Sequence, residues 1–179
     1  MNSFALFTDV SVCPQRKLGV GGYLLVPMSF LERAPHDIEQ CEVAAMIKSR
    51  RFDDTSSTKL EVQTVLWALE DSRKELAGLA PGSLQIYTDS QCVAGLLRRR
   101  AVLDERDFIA KRSGRTLANA PLYREFYTAY DQAGFRVLKV AGHSSACSHD
   151  VVHRTFSYVD REVGRALTLW LAEGEIDRA

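Results

Sequence analysis

Two short apolar runs in this 179-residue chain break off in the same way. Residues 5 to 12 read ALFTDVSV and residues 84 to 91 read LQIYTDSQ, so each run passes through an aromatic residue and a threonine into an aspartate, Asp9 and Asp89. Runs of this length read as strands entering a core, where an unpaired carboxylate is costly. The fold must therefore bring both acids to a place where their charge is tolerated or used.

The rest of the chain supplies the partners for such strands. Residues 4 to 12 and 19 to 27, joined by a polar turn, predict a hairpin. Residues 41 to 49 form a third candidate strand, with helix as the alternative because of their Ala and Met content. A loop rich in potential N-caps leads into a helix from about Thr58 to Leu76, on which Val62, Leu66, Leu69 and Leu76 share one face. A turn and strand over 81 to 88 follow, with a second helix starting after Asp89, which makes a βαβ pattern. Residues 98 to 115 hold Arg98, Arg99, Arg100, Arg106, Lys111, Arg112 and Arg115 and predict an irregular or short-helical basic excursion. A helix over 120 to 134, a strand over 135 to 142 and a loop through His153 precede a final helix with an apolar stripe at Val159, Val163, Ala166, Leu167, Trp170 and Leu171. The order is βββαβα, a helical insertion, then βα, in one α/β domain over residues 1–179.

In such a sheet the first and fourth strands can lie side by side in parallel, with functional groups at their carboxyl ends. That places Asp9 beside Asp89, and Glu61, in the first turn of the first long helix, can join them. Three carboxylates together raise one another's pKa unless a cation intervenes. Mg²⁺ suits such hard oxygen ligands, and a pair of ions held by shared acids activates water and stabilises the leaving oxygen in phosphodiester cleavage. Taken singly, each Asp is an ordinary turn or cap acid, and a Glu early in a helix is favoured by the helix dipole. Their recurrence in one pattern points to a site.

FTDVSV, GVGGYLLV, STKLEVQTVLWALE, IYTDSQCVAGL and VLKVAGH, in this order, resemble the successive motifs of the type 1 ribonuclease H family over about residues 4 to 170. The resemblance implies an RNase H-like fold: a mixed five-stranded sheet, three antiparallel strands extended by two parallel ones, with helices on both faces. It implies four metal-binding, catalytic carboxylates, with Asp9, Glu61 and Asp89 as the first three. SYVDREVGRAL looks like the start of the family's final helix and points to Asp160 as the fourth, with Asp150 as the rival. His143 matches a loop histidine that assists proton transfer or product release, a role suited to a near-neutral group. His149 and His153 have no such match and read as surface or loop residues. Ser11, Ser57, Thr58 and Gln91 match positions at the substrate, Ser57 and Thr58 also reading as helix caps. Arg98, Arg99 and Arg100 fall where family members carry a basic protrusion, though a solvated charged face is equally consistent with the run.

The implied activity is Mg²⁺- or Mn²⁺-dependent cleavage of the RNA strand of RNA/DNA hybrids, using two ions. Val10 stands where the family has Gly, and the interval from His143 to Asp160 is longer than usual. Both features keep a second substrate class open: double-stranded RNA, DNA or a junction. A binding module that kept the fold and lost the chemistry is a third reading. Lys plus Arg equals Asp plus Glu, 23 each, so net charge alone does not argue for a polyanionic partner. Cys13, Cys41, Cys92 and Cys147 lack metal-ligand spacing and read as reduced thiols. With no apolar stretch of about 18 residues and no leader pattern, the expectation is a cytoplasmic monomer.

Overall fold

The computed structural model describes residues 3–141 and 150–176. Five strands, β1 (Phe4–Cys13), β2 (Leu18–Pro27), β3 (Lys48–Phe52), β4 (Leu84–Thr88) and β5 (Arg136–Lys139), form one sheet in the order β3-β2-β1-β4-β5. The first three are antiparallel, and β4 and β5 run parallel to β1. This is the mixed sheet that the resemblance implied. The helices are α1 (Gln40–Met46), α2 (Ser57–Asp71), α3 (Arg73–Leu76), α4 (Gln91–Glu105), α5 (Ala120–Ala133) and α6 (Val151–Ile176).

Because side chains alternate across a strand, β1 feeds two cores. Ala5 and Phe7 pack with Val159, Val163 and Leu167 of α6, whereas Leu6 packs with Val62 and Val65 of α2, Leu96 of α4 and Phe126 of α5. Helices thus cover both faces of β1 and β4, which explains why their sequences are almost uniformly apolar up to the two aspartates.

Gly21 and Gly22 set how closely those helices approach. They point to opposite faces of β2: a Cβ on Gly21 would collide with the Thr64 side chain of α2, and one on Gly22 with Val163 Cγ2 of α6. Thr64 Oγ1 is buried with no hydrogen-bond partner among the described residues, so it fills this space by shape alone. Gly21→Ala should therefore cost about 1–3 kcal/mol by overpacking. Adding Thr64→Ala should return most of it, a coupling that urea unfolding of the two single variants and the double variant would measure. Additive losses would show that the two side chains do not compete for this space.

Several elements differ from the sequence reading. The third strand is not 41 to 49: residues 40–46 are the helix α1, and the strand is the polar KSRRF segment that follows. β3 lies at the sheet edge, where charged residues replace the alternation that marks a half-buried strand. The long helix predicted to Leu76 divides at Ser72, whose buried hydroxyl donates to Tyr23 Oη while Tyr23 donates to Asp71 at 2.5 Å. In the basic excursion, residues 98–105 continue α4 as regular helix. The irregular part begins at Arg106, and buried Phe108 anchors it beneath a bridge between Ile109 and Thr116.

Candidate active site

The repeated aromatic-Thr-Asp pattern is a register. The parallel pairing of β1 with β4 runs to Phe7 opposite Tyr87, whose rings stack with centroids 4.9 Å apart. One residue on, Thr8 and Thr88 are both buried. One further, Asp9 and Asp89 come at equal offsets beyond the last paired residues, and by alternation they share the sheet face of the stacked rings.

The same face carries α6. Gly22 is the partner of Asp9 across β1 and β2, and Val163 sits where a Gly22 Cβ would be. Asp160 precedes Val163 by three residues, so the two share a side of the helix. The glycine gap that lets α6 settle on the sheet thus brings Asp160 to Asp9, within hydrogen-bonding reach. Asp160 lies in the third turn of α6, not in the first turn as the sequence suggested. The first turn belongs to the rival: Asp150 Oδ1 accepts from the His153 backbone N–H at 2.9 Å and lies 2.8 Å from His153 Nδ1. Burial alone would push the Asp150 carboxyl up, but the His153 backbone and ring hold it below the usual range. Asp150 is a helix cap.

Glu61 enters from the opposite layer. It is the fifth residue of α2, and its carboxylate accepts from Ser57 Oγ at 3.3 Å and from Ser90 Oγ. Ser90 follows Asp89 directly and also caps α4 by accepting from the Val93 backbone N–H at 3.1 Å. One hydroxyl thus ties Glu61 to the strand end that carries Asp89. Ser90 was not singled out from the sequence, although a serine before a helical run is a recognisable N-cap signal.

Asp9 is only 9% exposed, whereas Asp89 and Asp160 are open to solvent and Glu61 is half-buried. Burial pushes the Asp9 carboxyl up to about 8, helped by the charges of Asp89 and Asp160 and by the hydrogen bond with Asp160; the Val10 backbone N–H opposes the shift. Chemically this is an acid surrounded by acids in a half-dry place, able to hold a proton or a cation. Among the described residues, no group of three His, Cys, Asp or Glu side chains forms a ready-made metal cage.

A family model described as RNase H matches residues 1–154. The chain belongs to the RNase H family. Curated proteins give no match. The RNase H match spans Asp9, Glu61 and Asp89 and ends before Asp160, which is tied to Asp9 by the packing of α6. The RNase H family consists of nucleases that are generally divalent-metal dependent and act on nucleic-acid hybrids. Among the described residues no helix is long and apolar enough to cross a membrane.

The remaining candidates separate by what they touch. His143, His149 and Cys147 lie outside the described residues. Cys13, Cys41 and Cys92 are free thiols. Ser11 is half-buried on β1, and Ser57 and Thr58 are exposed at the start of α2. Gln91 accepts from Lys139 Nζ at 2.5 Å. Arg98 is exposed, and Arg99 donates to the carbonyls of Cys92 and Gly95, contacts that leave its charge uncompensated. Arg100 differs. It pairs with both oxygens of Asp131, at 2.5 and 2.7 Å, so its charge is largely spent within the protein.

Proposed function

We propose that this RNase H-family chain is a metal-dependent endonuclease that hydrolyses the RNA strand of RNA/DNA hybrids, leaving 3′-hydroxyl and 5′-phosphate ends. The observation that carries the proposal is the buried Asp9 carboxyl, pushed up by burial and by Asp89 and Asp160 beside it. The donor set of Asp9, Glu61, Asp89 and Asp160 is all hard oxygen and suits two Mg²⁺ or Mn²⁺ ions. When bound, such ions lower the pKa of the attacking water and stabilise the leaving oxygen.

The chain's own residues have distinct tasks in this proposal. Asp9 is the fixed member, held on a central strand with its approach set by Gly22. Asp89 and Asp160, being exposed, face the side from which a phosphodiester arrives. The Ser90 hydroxyl holds Glu61 toward them. His143 moves a proton or aids product release, as the resemblance implies. Ser11, Ser57, Thr58 and Gln91 line the approach, and Arg98, Arg99, Lys111, Arg112 and Arg115 offer charge for backbone phosphates, which gives affinity without reading sequence.

One observation favours a second substrate class with the same chemistry. Val10 directly follows Asp9 and pairs with Gly21, so its branched side chain lies on the α2 side of β1, the sheet face opposite Asp9 and the one from which Glu61 enters. A branched side chain there narrows the close approach of a sugar-phosphate backbone. Cleavage of an RNA/DNA hybrid, double-stranded RNA and double-stranded DNA, at matched salt with Mg²⁺ or EDTA, tests both. Mg²⁺-dependent cutting of the hybrid RNA with 5′-phosphate products is expected. Preferential cutting of another duplex would establish the second class, and no chelator-sensitive cutting would reject both.

A further inference from the structure

Lys139 ends β5, and its register partner on β4 is Thr88, the residue before Asp89. The chain stays alongside β4 beyond it, since the Val140 N–H donates to the Thr88 carbonyl at 2.8 Å. The Lys139 side chain is exposed, yet it is not left to solvent: its ammonium donates to Gln91 Oε1 at 2.5 Å, at the first residue of α4 and two positions after Asp89. An amide oxygen orients an ammonium without neutralising it. Three other cations are compensated by carboxylates, Lys48 by Asp71 at 2.8 Å, Arg51 by Glu173 at 2.8 Å and Arg100 by Asp131, whereas Arg99, like Lys139, donates to neutral oxygens. Among the described residues no carboxylate lies within ion-pair distance of Lys139. A full positive charge is thus held in a defined direction beside the strand end that carries Asp89; Lys139 belongs to the VLKVAGH motif but was not singled out from the sequence.

We propose that Lys139, aimed by Gln91, binds one backbone phosphate of the nucleic acid engaged at the acidic cluster. The inference rests on the reading of that cluster as a nucleic-acid site. Four carboxylates repel a phosphate backbone, and an uncompensated ammonium at their edge gives the strand a place to sit. A lysine contributes this as a point charge, so it adds affinity without selecting base or sugar. A lysine that merely solvates a strand end has no phosphate to release counterions from.

That difference is measurable without catalysis. Binding of a fluorescent RNA/DNA hybrid to the full chain is followed by anisotropy in EDTA, over about 50 to 200 mM salt. Lys139→Gln should weaken binding about three- to tenfold and lower the slope of log affinity against log salt by about 0.9, the contribution of one phosphate. Lys139→Arg should keep the slope. Equal slopes for wild type and Lys139→Gln would overturn the inference, whatever the cleavage assay shows. A slope change in a chain that fails to cut with Mg²⁺ would leave the phosphate contact standing and reject the nuclease reading alone. Absence of salt-dependent binding by wild type would overturn both.

Discussion

Asp89→Asn should reduce hybrid cleavage by a factor of about 10³ or more, about 4 kcal/mol in the barrier. The substitution keeps the shape and removes the charge of an exposed side chain, so no core contact is lost. Because that charge also repels the buried Asp9 carboxylate, the metal-free variant should be no less stable than wild type. The loss then reads as chemistry: one fewer carboxylate beside Asp9 for the proposed cation. The measurement is the single-turnover rate at saturating Mg²⁺ on a labelled hybrid, with the melting temperature recorded alongside. A rate within tenfold of wild type would remove Asp89 from the chemistry.

The same assay separates Asp160 from Asp150. Asp160→Asn should behave like Asp89→Asn, because Asp160 meets Asp9 through the α6 packing. Asp150→Asn should retain cleavage, since the cap hydrogen bond to His153 involves no member of the cluster. Comparable activity losses at both positions would mean that the capped end of α6 takes part in the reaction.

The juxtaposition of Asp9 and Asp89 was legible because its signal is a register. Phe7-Thr8-Asp9 and Tyr87-Thr88-Asp89 repeat since two parallel strands end at the same height, so the repeat survives in one dimension. Glu61 stood out because it follows a cap-rich loop, but α2 begins at Ser57, so Glu61 is its fifth residue and not in the first turn as read from the sequence. The position of Asp160 was not legible, because it depends on how deeply α6 sinks over Gly22, and that depth is a property of two distant segments. The helix start was misjudged for a related reason: Val151, Val152 and His153, read as loop, are the first residues of α6 and are too few to show an apolar period. β3 escaped detection because an edge strand carries Lys48, Arg50 and Arg51 where a buried strand would alternate. Arg100 looked free in a basic run, and only the fold brings Asp131 across from α5 to meet it.

Asp9→Asn should abolish cleavage and yet stabilise the metal-free chain by about 2–4 kcal/mol near pH 7, since one unit of pKa shift corresponds to about 1.36 kcal/mol. Burial and the neighbouring Asp89 and Asp160 raise the Asp9 carboxyl from 3.8 to about 8, so the folded chain holds a proton there that the unfolded chain has released. Stability falls with pH wherever the folded state binds more protons. The burden of Asp9 is therefore absent below about pH 4, grows as pH rises toward 8, and is complete above it. Asn keeps an oxygen to accept from the Val10 N–H and carries no charge to bury. Urea unfolding of wild type and Asp9→Asn in EDTA at pH 4, 6 and 8 should give curves that start together and separate steadily. Saturating Mg²⁺ should raise wild type toward the variant, because a ligand that binds only the folded state stabilises it. A difference between the two proteins that does not change with pH would show that Asp9 is not held against its charge, and with it the physical basis for a cation at this site would fall.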